Sequence, residues 1–240
     1  MYGERNNKLR EMHCRNCRMT KACYLNPLPE VITELLEEGF AHNLKLRKGE
    51  CLFHQGAPAA SIFIMLSGTV KTTVNTECGK EIITGFYFPG EVLGLSGMGS
   101  KTYLTSAKAL ETVFACELSY THLFKLSRQP LYVQTILISI VTNELLDQQN
   151  LLISTRKIVD ARLAHFIFNI AKKNHTNGLP ARQLYLTMTR QDIGNHLGVA
   201  IESVSRSLTR LQKDSIIIIH KENIDILDMD ALYRLATKQE

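Results

Sequence analysis

The chain has 240 residues, 45% of them hydrophobic and 21% charged, with a formal net charge of +5. That length suits one large domain or two modest ones. No stretch approaches the 18 uninterrupted apolar residues of a membrane span, and the charged N-terminus lacks the apolar core of a secretory signal, so a cytoplasmic protein with no membrane partner is expected.

Six cysteines in such a chain argue against a disulfide framework. Three of them, Cys14, Cys17 and Cys23, crowd into the first 25 residues, which show no clear period. Residues 1–23 also carry six Lys/Arg against two Glu, and nearby positive charge favours thiolate over thiol. Asn26-Pro27-Leu28-Pro29 is a break, because each proline fixes its own φ and biases its predecessor away from helix. Residues 30–40 read as a short amphipathic helix.

From about residue 44 to 118 the texture is β-rich, with runs at 51–53, 61–66, 69–74, 81–88 and 112–118. Turn signals separate them at Gln55-Gly56, Ser67-Gly68, Cys78-Gly79 and Pro89-Gly90. Short strands at this spacing predict an antiparallel roll or barrel.

After Pro130 the period changes. Ile138, Val141, Leu145, Gln148, Leu152 and Thr155 recur at alternating steps of three and four, the pattern of a coiled-coil seam with a polar Gln148 inside it. A helix packed on its own domain shows the same stripe. The length, about 25 residues, and the place between two domains favour a dimer helix. A further helix covers 160–173, and 175–180 is a loop.

Thr189-Arg190-Gln191-Asp192 reads as a helix start, an N-cap hydroxyl with an acid three residues on. Ile193 and Leu197 give this helix its apolar face, and Gly198 ends it. A second helix runs from 201 to about 213. Ile201, Val204, Leu208 and Leu211 face the core, while Glu202, Ser205, Arg206, Thr209 and Arg210 face outward. Arginine bonds two acceptors on guanine, glutamate accepts from cytosine N4, and serine does either, so the outer face has the chemistry of major-groove reading. An acid there costs electrostatic affinity, which favours base selection over phosphate binding. Thr189, Arg190, Arg210 and Lys213 are placed for the DNA backbone. Residues 161–214 hold eight Lys/Arg against three acids, which suits a polyanion, although an ordinary αα-hairpin with a solvated face has the same residues. Two isoleucine-rich runs around Lys221-Glu222-Asn223 then form a hairpin over 216–227, the wing of a winged helix.

The run from Leu186 to Gly194, with Glu202-Ser203-Val204-Ser205-Arg206, resembles the helix-turn-helix of the CRP/FNR regulator superfamily. The strands with Gly68, Gly85 and Gly90-Glu91 resemble its β-roll, and the seam helix resembles its dimerisation helix. Cys14-x2-Cys17-x5-Cys23, with Cys116 in Phe114-Ala115-Cys116-Glu117, resembles the ligand pattern of the oxygen-responsive FNR/Anr branch. The resemblance implies an α+β chain: a cysteine-rich segment (1–27), an N-terminal antiparallel β-roll of the cyclic-nucleotide-binding type (28–125), a long dimerisation helix (126–159) and a C-terminal winged helix-turn-helix (160–240). It implies a [4Fe–4S] cluster on Cys14, Cys17, Cys23 and Cys116 that supports dimerisation until oxygen degrades it. It further implies double-stranded DNA with TTGAT-like palindromic half-sites read by Glu202, Ser205 and Arg206, RNA polymerase as a partner, and activation of anaerobic genes.

Four thiolates can hold such a cluster. Zinc on Cys14, Cys17 and Cys23 with His13 or Cys116 is a rival, as are plain structural cysteines. Cys51 and Cys78 match no ligand position. Cyclic-nucleotide binding is not expected, since no arginine lies between Gly90 and Cys116 to pair a phosphate. An enzyme is not expected either. Cys14-x-x-Cys17 lacks the helix of a βαβ redox unit, and no phosphate loop or nucleophile elbow appears.

Three positions depart from the family pattern. Ala200 stands where a hydroxyl cap is usual, Ser215 where a glycine often opens the wing, and Gln148 where the branch tends to carry an acid on the seam, with Asp147 beside it. A neutral seam is expected to let the cluster-free chain dimerise more readily than relatives with the acid.

Overall fold

The structure is a computed structural model that describes residues 40–126, 128 and 131–238. Cys14, Cys17 and Cys23, and residues 30–39 of the expected short helix, lie outside the described residues. Phe40, the last residue of that expected helix, opens a strand instead.

Among the described residues, eight strands come first: β1 (Phe40–Leu46), β2 (Cys51–Phe53), β3 (Ser61–Ser67), β4 (Val70–Asn75), β5 (Glu81–Tyr87), β6 (Val92–Leu93), β7 (Ser106–Ala109) and β8 (Val113–Ser119). They form two four-stranded sheets, ordered β1-β8-β3-β6 and β2-β7-β4-β5, and their pairings are antiparallel. The two sheets close on Leu46, Phe53, Met65, Val70 and Val113, all buried. This is the expected roll. β7 carries no strand signal in Ser-Ala-Lys-Ala, but it pairs with β4 and its Ala107 and Ala109 are buried. Gly68 has φ +80°, and a Cβ there would lie 2.5 Å from the Thr112 carbonyl oxygen. Only glycine turns the chain at that approach.

Among the described residues, two short helices, α1 (Gly97–Ser100) and α2 (Tyr120–Leu126), precede the long helix α3 (Leu131–Ser154). One face of α3 packs Ile136, Leu137 and Ile140 onto Ile62, Ile64 and Leu118 of the roll. No helix among the described residues is long and apolar enough to cross a membrane.

The C-terminal unit contains α4 (Val159–Thr176), β9 (Gln183–Tyr185), α5 (Arg190–Leu197), α6 (Ile201–Lys213), β10 (Ile217–His220), β11 (Asn223–Ile226) and α7 (Met229–Thr237). The hairpin β10–β11 turns at Lys221-Glu222 as expected. β9 joins it to make a third strand, paired Ile224 to Leu184. Leu163, Ile167, Leu211, Ile217 and Leu232 are fully buried in this unit's core. The same core continues into the roll through Ile83, Phe86 and Phe88 of β5 and its exit, so the two units share one apolar interior.

Candidate nucleic-acid interface

Helix α5 starts on a capping box. Thr189 Oγ1 accepts from the Asp192 backbone N–H at 3.0 Å, and Asp192 Oδ2 accepts from the Thr189 N–H at 3.0 Å. Two of the donors that a helix start leaves unpaired are thereby satisfied. Burial works against the Asp192 charge, but hydrogen bonds from Thr189 and Lys71 outweigh it and hold the carboxyl below its ordinary range. Gly198 ends the helix at φ 67°. At Gly194 a Cβ would lie 2.8 Å from the Val199 carbonyl oxygen, so the tight turn into α6 needs glycine there.

Helix α6 buries Val204, Leu208 and Leu211. Glu202, Arg206, Thr209 and Arg210 are exposed and Ser205 is half-buried, so the expected readers share one open face. Arg190 Nη1 donates to Ser205 Oγ at 3.4 Å, which sets the expected backbone contact beside the expected readers. Lys213 is exposed at the end of α6. Ala200 has the φ of −66° and ψ of 147° of an N-cap but offers no side-chain acceptor.

Arg210 has a further role that the sequence did not reveal. Its Nη2 lies 2.6 Å from Asp160 Oδ1, an oxygen that also accepts from the Ser207 hydroxyl. The pair ties α6 to the first turn of α4 and offsets part of the cationic charge expected to face DNA. α5 is anchored in turn on the free edge of β5. Asn195 Oδ1 accepts from the Ile83 N–H at 2.7 Å, and its Nδ2 donates to the Glu81 carbonyl at 2.9 Å. One amide thus pairs a strand edge as a neighbouring strand would, which shields that edge. Lys71 on β4 adds ion pairs to Asp192 at 3.0 Å and Glu81 at 2.9 Å. His196 sits between Phe86 and Phe166, with ring centroids 5.1 and 5.9 Å away. Burial, aided by the Lys173 charge, pulls its pKa down to about 4 despite a bond to the Ile83 carbonyl. The contacts of Asn195, His196 and Asp192 with Glu81, Ile83 and Lys71 join residues more than 110 positions apart, and no local pattern announces them.

Away from this face, the seam residues Ile138, Val141, Leu145 and Leu152 are 54–69% exposed on one side of α3. Gln148 stands at the border of that side, bonded to Glu144 at 3.3 Å. Cys116 is half-buried on β8, opposite Asn43 of β1 and Ile64 of β3. The Glu91 carboxylate of Gly90-Glu91 is committed to Lys173 and to the Phe88 N–H.

Residues 43–129 match the family model described as cyclic nucleotide-binding domain, and residues 161–235 match the one described as Crp-like helix-turn-helix domain. The chain is 39% identical to the transcriptional activator protein anr of Pseudomonas aeruginosa, over 96% of this chain and 95% of that protein. It is 34% identical to the fumarate and nitrate reduction regulatory protein of Escherichia coli, over 94% of this chain and 90% of that one. In three dimensions it is similar to FixK2 from Bradyrhizobium japonicum, with a TM-score of 0.74 at 24% identity, over 83% of this chain and 98% of that one. This last likeness shows the fold.

Proposed function

The chain belongs to the CRP/FNR family of transcription regulators, in its FNR/Anr branch, and on that premise we propose that it binds palindromic TTGAT-like sites as a homodimer under the control of an oxygen-labile [4Fe–4S] cluster. DNA-binding regulation is the function of the family. The observation that carries the specific reading is the open face of α6, where Glu202, Ser205 and Arg206 lie together near the helix start. A helix of this size enters the major groove with its N-terminal residues on base edges. Arg190 at the start of α5 then meets phosphate, which fixes register without reading sequence.

Dimerisation would cover Ile138, Val141, Leu145 and Leu152, with Gln148 at the margin of the seam. Two copies present their α6 helices about one DNA turn apart, roughly 34 Å, which accounts for palindromic sites. The action belongs to the cytoplasm, as an activator that contacts RNA polymerase at genes of anaerobic growth.

Cys14, Cys17, Cys23 and Cys116 would hold the cluster. The donor set fits, since four thiolates are its usual ligands. The reach fits as well. β1 pairs with β8 beside Cys116, and the 16 residues between Cys23 and Phe40 can span on the order of 50 Å. When bound, the cluster supplies an oxygen-sensitive link between the N-terminal segment and the roll next to α3.

One preparation tests both parts. Protein purified without oxygen is expected to be brown, with about four iron per chain, and to bind the palindrome until air bleaches it. A colourless chain with one zinc contradicts the cluster. Glu202→Ala is expected to relax selectivity at one base pair by about 1–3 kcal/mol. Unchanged discrimination across half-site variants contradicts the assignment of Glu202.

A further inference from the structure

Lys173 lies on α4, in the DNA-binding unit, yet its ammonium meets both other parts of the molecule. It is 2.6 Å from Glu91 Oε1, in the turn that leaves β5, and 2.9 Å from Asp147 Oδ2 on α3. The second oxygen of Glu91 accepts from the Phe88 N–H at 2.7 Å, so this carboxylate is fixed to the roll. The Lys173 side chain is 28% exposed and that of Glu91 13%, so solvent screens the pair only weakly. Burial alone would depress the ammonium, but Glu91 and Asp147 outweigh it and hold its pKa above the ordinary lysine value.

A second tie lies nearby on the same helix. Arg162 Nε donates to the Lys157 carbonyl at 2.7 Å, Nη1 to the Leu197 carbonyl at 3.2 Å, and Nη2 to the Thr155 carbonyl. Thr155 and Lys157 belong to the link between α3 and α4, and Leu197 is the last residue of α5. Helix ends leave such carbonyls without intrahelical partners, and one guanidinium gathers them in a fixed fork. Between the two ties runs a cavity of about 100 Å3, lined by Tyr87, Glu144, Gln148, His165 and Asn169 among others.

A shielded ion pair of this kind adds little net stability over an apolar replacement of the same shape, but losing one partner is costly. From this arrangement we infer that Lys173 is a positioning residue, which sets the angle of α6 to the dimer axis by holding α4 to the roll and to α3 at once, with Arg162 as the second tie. The inference rests on the reading that two copies bind DNA through α6. In that case the spacing of the two half-sites is a geometric consequence of this junction.

The test is binding of the full-length protein to two identical half-sites at the native spacing and with one base pair inserted. One inserted pair rotates a half-site by about 35°. The wild type is expected to prefer the native spacing by about tenfold, and Lys173→Met to reduce this to about twofold, a change in the usual range of couplings between sites. Lys173→Arg is expected to keep the preference. Base selectivity within a half-site is expected to stay unchanged in both. Asp147→Asn, at a half-exposed carboxylate, gives the same test without burying an unpaired charge, and a reduced preference is expected there too. Spacing preference unchanged in both Lys173→Met and Asp147→Asn overturns the inference while leaving DNA binding intact. A wild type that binds neither spacing overturns the DNA-binding reading itself and this inference with it.

Discussion

Ala200 holds an extended backbone at the start of α6, so the geometry of a capping residue is already present and only an acceptor is missing. Ala200→Ser is therefore expected to stabilise the fold by about 0.5–1 kcal/mol, the usual worth of a hydroxyl cap. Chemical denaturation read by circular dichroism checks this, and a neutral or destabilising result would show that another group already serves the exposed amides. Ser215, the second departure from the family pattern, has φ 55°. It occupies the left-handed region that glycine takes at less cost, so the backbone a glycine would favour is retained without one. Arg210 shows where reading one residue at a time falls short. Its place on the outer face of α6 suggested phosphate contact, and that face is exposed, but Asp160 lies 50 positions away in sequence and reaches it through the fold.

At the scale of elements, α3 works on two faces. Ile140 and its neighbours pack on the roll, while Ile138, Val141, Leu145 and Leu152 remain open on the other side. Burial of that stripe in a second copy is expected to drive association, so Leu145→Glu, which sets like charges together across the axis, is expected to yield monomers at micromolar concentration. Sedimentation checks this, and a persistent dimer would place the interface elsewhere. Asp147, read from the sequence as a neighbour of the seam, is instead paired with Lys173. Its charge is compensated within the chain, which bears on the expectation that a neutral Gln148 favours dimers: Asp147 does not stand unpaired against its twin, and Glu144, which accepts from Gln148, also accepts from the Tyr87 hydroxyl.

The whole molecule responds to acid through the place where its two units join. His196 has a pKa of about 4 in the fold, against about 6.5 in an unfolded chain. The folded state thus needs the neutral ring. Stability is complete above pH 6.5 and is lost progressively as pH falls from 6.5 towards 4, by on the order of 1–2 kcal/mol at pH 5. His165, depressed by burial and then by Lys157, acts in the same direction. Thermal melts at pH 7 and pH 5 are expected to show a drop that shrinks in His196→Gln. An equal drop in that variant would assign the acid sensitivity to other groups.

Much of this protein is written locally. The glycine turns of the roll, the 3–4 repeat of α3, Thr189 with Asp192, Gly198, and the isoleucine hairpin of the wing all rest on interactions within a few residues, so the sequence alone determined five strands of the roll, the long helix, the helix-turn-helix and the wing. It also determined which residues face outward on α6, because helical period fixes that once the apolar side is known, except at Ile201, which the period assigns to the core and which is 42% exposed at the helix start. β1, β6, β7, β9, α1, α2 and α7 escaped; β7 and β9 take their strand character from burial against partners, not from their own propensities. Only the tertiary structure decided that α5 docks on the edge of β5, that His196 is enclosed by two phenylalanines, and that Glu91, Asp147 and Lys173 meet. The reason is physical: a buried charge or polar group is tolerable only with a partner, and which partner it finds depends on how distant segments pack, which no local pattern records.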